Sequence, residues 1–235
     1  MKDLTGHVRA CVDKYKMISA GDKIAVGVSG GKDSMYLLYA LSGLRRYYPV
    51  PFTLHAITVD PGFDGRAGDY SQLEDFCRNL DIEYVIRRSN LWDIVGEEES
   101  PCSLCAKMRR GMLHNICLEH GWNKIALGHH LDDAVQTFLM NLFYGGKIGC
   151  FSPVTWLSRK EITMIRPLLF CQENDIRRQA ARLSLPIVKS LCPADGVTAR
   201  QDTADLIQSL EKEFPDIKAK VIGAMQRSGI DGWEL

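Results

Sequence analysis

The chain has no excess of charge of either sign: lysine plus arginine and aspartate plus glutamate both number 29 in 235 residues. A protein-wide field that would gather nucleic acid is therefore excluded. No run is long and apolar enough to span a bilayer, so no membrane partner is expected. The start, MKDLTGHVRA, lacks the apolar centre of a secretory signal. Internal repeats, low-complexity tracts and an obvious linker are also missing. These absences point to a cytoplasmic protein, in which the eight cysteines are not a disulfide framework. Most of them read as small buried hydrophobes.

A further absence concerns GVSGGKDSMYLL, Gly27–Leu38. The common phosphate loop, G-x-x-x-x-G-K-[ST], needs glycine where Val26 stands and a hydroxyl where Asp33 stands. The stretch nevertheless follows an apolar run, Lys23–Val28, and precedes a helical pattern with Met35, Leu37, Leu38 and Leu41 apolar. Paired glycines at such a junction let a ligand approach the backbone. Free N–H groups at the helix start favour an anion. A plain glycine turn is the alternative, but polar Ser29, Lys32, Asp33 and Ser34 at a strand's carboxyl end favour a nucleotide. Ser29, Gly30, Gly31, Lys32, Asp33 and Ser34 are the candidate contacts.

What is present is ordinary for a soluble globular chain, 25% charged and 46% hydrophobic. β-rich runs at Lys23–Val28, Phe52–Asp60, Glu83–Arg88 and Lys124–Gly128 alternate with helical patterns at Ser34–Arg46, Tyr70–Leu80, Leu104–His120 and Leu131–Tyr144. Further helical patterns cover Cys171–Leu183, Ala199–Phe214 and Ile217–Arg227. The expected fold is α/β, a mostly parallel doubly wound sheet with additional C-terminal helices. A single domain over residues 1–235 is expected, with a cysteine-bearing helix at about 101–121 and a helical part at about 171–235. Ligands of such sheets bind beyond the strands' carboxyl ends. The loops after Val28, Val59 and Leu127 should share one crevice, which adds Val59, Gly128 and His129 to the candidate nucleotide contacts.

LGHHLDDAVQT, Leu127–Thr137, should deliver His129, His130, Asp132 and Asp133 to that crevice. One aspartate in a helix's first turn is explained by the helix dipole; a second is a candidate for holding Mg²⁺ on phosphates. The histidines are read as phosphate or base contacts, or as residues packed beside a turn. PCSLCAKMRRG, Pro101–Gly111, holds Cys102 and Cys105 in a C-x-x-C at the start of a basic helix. That spacing is shared by redox pairs, zinc sites and iron–sulfur sites. The obvious further thiol is Cys192, in SLCPADG.

SGGKDS resembles the PP-loop of the N-type ATP pyrophosphatase superfamily. PCSLCAKMRRG, LGHHLDDAVQTFLMNLFYGGK, IRPLLFCQENDI and ARQDTADLIQSLEKEFP resemble its TtcA group, in the family's order from about Gly21 to Gln226. That group makes 2-thiocytidine in tRNA. The resemblance implies an ATP co-substrate cleaved between its α- and β-phosphates, with Lys32 and Asp33 catalytic, and Asp132 or Asp133 assisting. It implies Mg²⁺ near Asp33 and Asp133. It also implies a [4Fe–4S] cluster on Cys102, Cys105 and Cys192, although the family's second C-x-x-C has Lys189 at its first position here. Partners implied are tRNA, an unspecified sulfur donor and a second copy of the chain. Lys107, Arg109, Arg110 and Lys147 are the candidate RNA contacts. No separate RNA-binding domain is expected, which keeps open a small-molecule sulfur transfer or desulfuration with the same chemistry. A non-catalytic ATP- or redox-sensing metal protein is the alternative from another class.

Overall fold

The computed structural model describes residues 4–65, 67–95, 101–188, 192 and 199–234. Helix α1, Thr5–Lys14, leads into strand β1, Lys23–Gly27, and helix α2, Lys32–Arg45. Strand β2 is Thr53–Asp60, α3 Ser71–Asn79 and β3 Glu83–Arg88. The short α4, Leu91–Val95, precedes α5, Pro101–Glu119, then β4, Lys124–Ala126, and α6, Leu131–Phe143. A hairpin follows, β5 Val154–Leu157 and β6 Ile162–Ile165, and then α7 Glu173–Arg182, α8 Ala199–Glu213 and α9 Ile217–Ser228.

The strands form one six-stranded sheet in the order β3-β2-β1-β4-β6-β5. All neighbours are parallel except β5, which runs antiparallel to β6. The expected mostly parallel α/β sheet is therefore what forms. The hairpin was not expected from the sequence. It extends the sheet beyond β4 and sets Arg166 at a carboxyl end.

Period-2 alternation puts successive side chains on opposite faces. Ile24 and Val26 of β1 join the larger core cluster with α1, α2, α3, α6, α7 and residues of α8 and α9. Ala25 faces the other way, onto a smaller cluster with Ile57, Ile125, Met164 and Ile116 and Cys117 of α5. Both faces of the sheet are covered, so β1 reads as a continuous apolar run. Trp233 is fully buried; its indole N–H donates to the Phe151 carbonyl at 2.9 Å, pinning the chain's far end to the segment before β5.

The chain turns outward from β1 in both directions: β2 and β3 lie to one side, β4 and β6 to the other. The gap between the carboxyl ends of β1 and β4 is where such a sheet opens a crevice. At the opposite ends of the strands, Trp122 is stacked between His55 and His120, with ring centroids 4.4 and 4.5 Å away. Glu83 approaches Nδ1 of both histidines, at 3.0 and 3.7 Å. Burial lowers the His55 pKa below its ordinary 6.5, against the opposing pull of Glu83. A histidine depressed in this way binds its proton more weakly folded than unfolded, so its contribution to stability is present above about pH 6.5 and falls as pH drops below it. Urea midpoints are expected to fall between about pH 7 and pH 5, with a parallel change in tryptophan fluorescence. His55→Phe should flatten that slope; an unchanged slope would assign the pH dependence elsewhere.

Candidate active site

Beyond β1 the main chain stays tied to β2: Val28 N–H donates to Ile57 O at 2.7 Å, and the Thr58 hydroxyl donates to Val28 O at 2.7 Å. The loop then turns at Gly30, whose φ of +81° favours glycine. A Cβ at Gly30 would also lie 3.0 Å from the Cβ of Val188. Val188 N–H donates to Gly30 O at 3.0 Å. That bond fastens the segment leading to Cys192 onto the loop. Ser34 closes the loop from within: its hydroxyl donates to Gly31 O at 3.0 Å and accepts from Ser29 N–H at 3.1 Å. The two seryl oxygens are 3.1 Å apart. Ser29 and Ser34 thus brace each other and hold the loop in shape.

Lys32 and Asp33 open α2. The Lys32 ammonium is 3.0 Å from Asp33 Oδ2 and 3.0 Å from Glu173 Oε1 of α7. Burial pulls its pKa down, but the two carboxylates outweigh that and raise it. Lys32 is therefore a firm cation at neutral pH. Among the described residues, Asp33 Oδ1 is buried without a hydrogen-bond partner. A buried carboxylate oxygen of that kind suits a cation.

The β4 end approaches the same helix. A Cβ at Gly128 would lie 3.1 Å from Ser34 N and 3.2 Å from the Asp33 carbonyl carbon, so only glycine fits without movement. His130 caps α6: its Nδ1 accepts Asp133 N–H at 3.4 Å, while Asp133 Oδ2 accepts His130 N–H at 3.0 Å. His130 is the packed histidine of the pair, whereas His129 lies against the Phe151 ring and lines the crevice. The aspartates divide in the same way. Asp133 lines the crevice. Asp132 does not: it turns inward, 2.8 Å from Lys218 Nζ and 2.7 Å from the Glu173 N–H it accepts. Burial pushes its carboxyl up, but Lys218 and that N–H outweigh burial and hold it low. The placement of Asp132 suits structural support.

Two adjoining cavities share Ser29, Asp33, Val59 and Arg109. The first, about 600 Å³, runs from Gly27 and Gly128 past Leu113 and Leu127 to His129, Thr137, Phe151 and Arg166. The second, about 710 Å³, is lined by Gly31, Lys32, Thr58, Asp60, Tyr70, Val188 and Cys192. Arg166 has no counterpart in the sequence-based set. It follows β6, is buried, and lies over the Phe151 ring at 4.8 Å. Nη1 donates to Ser152 O at 2.5 Å and to the Thr155 hydroxyl at 3.2 Å. Burial lowers its pKa to about 10, so it remains charged at neutral pH. Its Nε is buried without a partner among the described residues. The pattern that would have found it is a short β-hairpin, VTWLSRKEITMI, followed directly by Arg166.

The Cys102 side chain lies outside the described residues, as does Lys189. Cys105 is buried between α4 and α5 beside Leu91 and Val95. Cys192 faces the second cavity with Lys32 and Arg109. Thiols are the donor type of iron–sulfur groups, but among the described residues no three Cys, His, Asp or Glu side chains are gathered as a metal site. Of the candidate RNA contacts, Arg109 and Arg110 line the crevice, and Lys107 is exposed on the same helix. Lys147 is exposed in the turn after α6 and lines neither cavity. Away from the crevice, Arg87 pairs with Glu119, Arg177 with Glu173, and Arg178 with Asp175.

The tight contact at Gly128 has a direct test. Gly128→Ala is expected to cost about 1–3 kcal/mol in denaturant unfolding, the usual range for an extra methyl against fixed backbone. It should also lower nucleotide affinity. Gly43→Ala, where a methyl meets nothing within 4 Å, should leave both intact. An unperturbed Gly128→Ala protein would show that the two loops are not held together by this contact.

A family model for the PP-loop domain matches residues 5–189. The tRNA-cytidine(32) 2-sulfurtransferase of Syntrophotalea carbinolica is 37% identical over 231 residues, 96% of this chain and 87% of that protein. The protein of the same name from Geobacter sulfurreducens is 37% identical over 230 residues, covering 95% and 89%. Among solved structures, the U34-tRNA thiolase NcsA from Methanococcus maripaludis, with its [4Fe-4S] cluster, superimposes with a TM-score of 0.75. It is 26% identical, with 95% of this chain and 78% of that one covered. The NH3-dependent NAD synthetase from Campylobacter jejuni shares the fold at a TM-score of 0.51 and 15% identity. The loop geometry, the sheet order and these likenesses agree: the chain belongs to the PP-loop family, in the TtcA-like group.

Proposed function

We propose that the protein is an ATP-dependent, iron–sulfur-dependent tRNA sulfurtransferase that converts a cytidine to 2-thiocytidine. The observation that carries the reading is the shared crevice, in which the loop lysine Lys32 and the thiol of Cys192 line one cavity and Arg109 joins it to the next. The curated relatives named for cytidine 2-thiolation support the substrate. The thiolase with its cluster supports the cofactor.

In this reading ATP enters the first cavity. Its adenine lies against the apolar floor of Val59, Leu113 and Leu127, and its phosphates turn toward the N–H groups at the start of α2. Asp33 and Asp133 would hold Mg²⁺ on them, which would supply positive charge against the phosphates. The C2 carbonyl oxygen of the cytosine attacks the α-phosphorus, and the bond to the β-phosphate breaks. Lys32 and the loop N–H groups stabilise the departing pyrophosphate, with charge aimed at where it develops. Arg109, which faces both cavities, balances the charge on the α-phosphate. Sulfur then bonds to C2 and AMP leaves with the former carbonyl oxygen. Cys102, Cys105 and Cys192 would hold the [4Fe–4S] cluster, which supplies an open iron for the sulfide. Burial between α4 and α5 keeps water from Cys105. The tRNA lies along Lys107, Arg109 and Arg110, and the reaction takes place in the cytoplasm.

Anaerobically purified protein is expected to hold about four irons per chain, as the cluster formula requires. With tRNA, ATP, Mg²⁺ and inorganic sulfide as sulfur source it should yield AMP, pyrophosphate and, by nucleoside mass spectrometry, 2-thiocytidine. Cys192→Ala should lose most of the iron and all thiolated product while still binding ATP. ADP and phosphate as products, or stoichiometric zinc in place of iron, would overturn the reading.

RNA binding gives an independent check. Lys107→Ala and Arg110→Ala are each expected to weaken tRNA binding and reduce the salt slope by about 1. ATP affinity should persist in the Lys107 variant. Unchanged slopes in both would move the RNA surface away from α5. Thiolation of a small molecule with no salt-dependent tRNA binding would replace tRNA as the substrate.

A further inference from the structure

Lys32 is held by two carboxylates, and only one of them belongs to its own loop. The second, Glu173, comes from the first turn of α7, and its Oε1 lies 3.0 Å from Lys32 Nζ and 2.8 Å from Arg177 Nη2. Glu173 has two separate connections. Its backbone N–H donates to Asp132 at 2.7 Å, and Asp132 in turn meets Lys218 of α9 at 2.8 Å. Lys218 is also 2.9 Å from Glu211 of α8. The backbone bond fixes where α7 begins. The side chain is left to Lys32 and Arg177.

We propose that Glu173 is a positioning residue that occupies Lys32 until phosphate arrives and takes it back as pyrophosphate leaves. This rests on the reading that the loop Ser29–Ser34 binds the phosphates of ATP. The ammonium has two states of similar cost. Without nucleotide, Glu173 satisfies it. With nucleotide, a phosphate oxygen replaces Glu173, and Arg177 keeps the released carboxylate paired. Arg177 is largely exposed, with 60% of its side chain accessible, so it can follow Glu173 without loss of packing. Exchange of one anionic partner for another keeps two acceptors on the half-buried ammonium throughout, with Asp33 as the constant one. It also lowers the grip on pyrophosphate, because the product must compete with a carboxylate already in reach. Asp33 does not play this part, since it stands beside Lys32 on the same helix turn and moves with it.

The test is ATP and pyrophosphate affinity by equilibrium dialysis up to millimolar ligand, with wild-type protein, Glu173→Gln, Lys32→Met and the double variant. Glu173→Gln keeps the size of the side chain and the backbone bond to Asp132, so a purely structural role for Glu173 would leave affinity unchanged. It is expected to bind both ligands about five-fold more tightly, the scale of one partly exposed ion pair. Release of pyrophosphate after a single turnover should slow by a similar factor. In the Lys32→Met background the substitution should restore nothing. Unchanged or weaker binding by Glu173→Gln would overturn the proposal. An equal gain in the Lys32→Met background would overturn it too, by showing plain repulsion between carboxylate and phosphate. Failure of wild-type protein to bind ATP at all would instead overturn the underlying reading of the loop.

Discussion

The close approach of Gly128 to the first turn of α2 is the constraint on which the crevice depends. A methyl group there would press on the backbone at Asp33 and Ser34. Because the gap is so small, the β4 end and the loop after β1 lie side by side beyond the sheet. His129 and Asp133 then face the same space as Ser29 and Asp33. β6 adds Arg166 from the far side of β4, and the segment through Val188 adds Cys192 from above the loop. These four stretches, distant in sequence, meet around the contact of one pair of backbones. Gly30 and Gly128 both sit at such contacts.

Charge is organised on the same local scale. The zero net charge excludes a protein-wide field, yet the crevice concentrates cations: Lys32, Arg109, Arg110 and Arg166. Their surroundings differ. Lys32 has carboxylate partners, Arg166 lies over an aromatic ring and donates to oxygens of the segment before and within β5, Arg110 Nε donates to Ala106 O, and Arg109 faces open cavity. Behind them runs a chain of ionic contacts from Glu211 and Lys218 through Asp132 to the start of α7. Buried charge is tolerated only when paired and hydrogen-bonded. That requirement couples α8 and α9 to the loop through the start of α7.

Much of the fold could be read from periodicity. Strands β1–β4 and the long helices lie close to where alternation and helical spacing put them, because both patterns record burial on one face. The β5–β6 hairpin escaped that reading. Its strands have four residues each, too few for alternation to stand out from a turn, and they join the sheet only because β6 pairs with β4 and β5 with β6. With the hairpin went Arg166, a residue whose meaning comes wholly from its position at a strand end.

The sequence by itself determined the parts of the site whose chemistry is local. A strand, two glycines, a lysine and an aspartate at a helix start specify an anion cradle wherever the chain places them, since backbone N–H groups and helix polarity travel with the segment. Tertiary structure decided which neighbour faces the ligand. Of His129 and His130, and of Asp132 and Asp133, one of each pair lines the crevice and the other turns inward. Adjacent residues at a helix start point in different directions, so no spacing rule distinguishes them until α2, α7 and α9 are packed around them. The meeting of Lys32 with Glu173 was likewise settled only there, because the order of strands in the sheet brings α7 against α2.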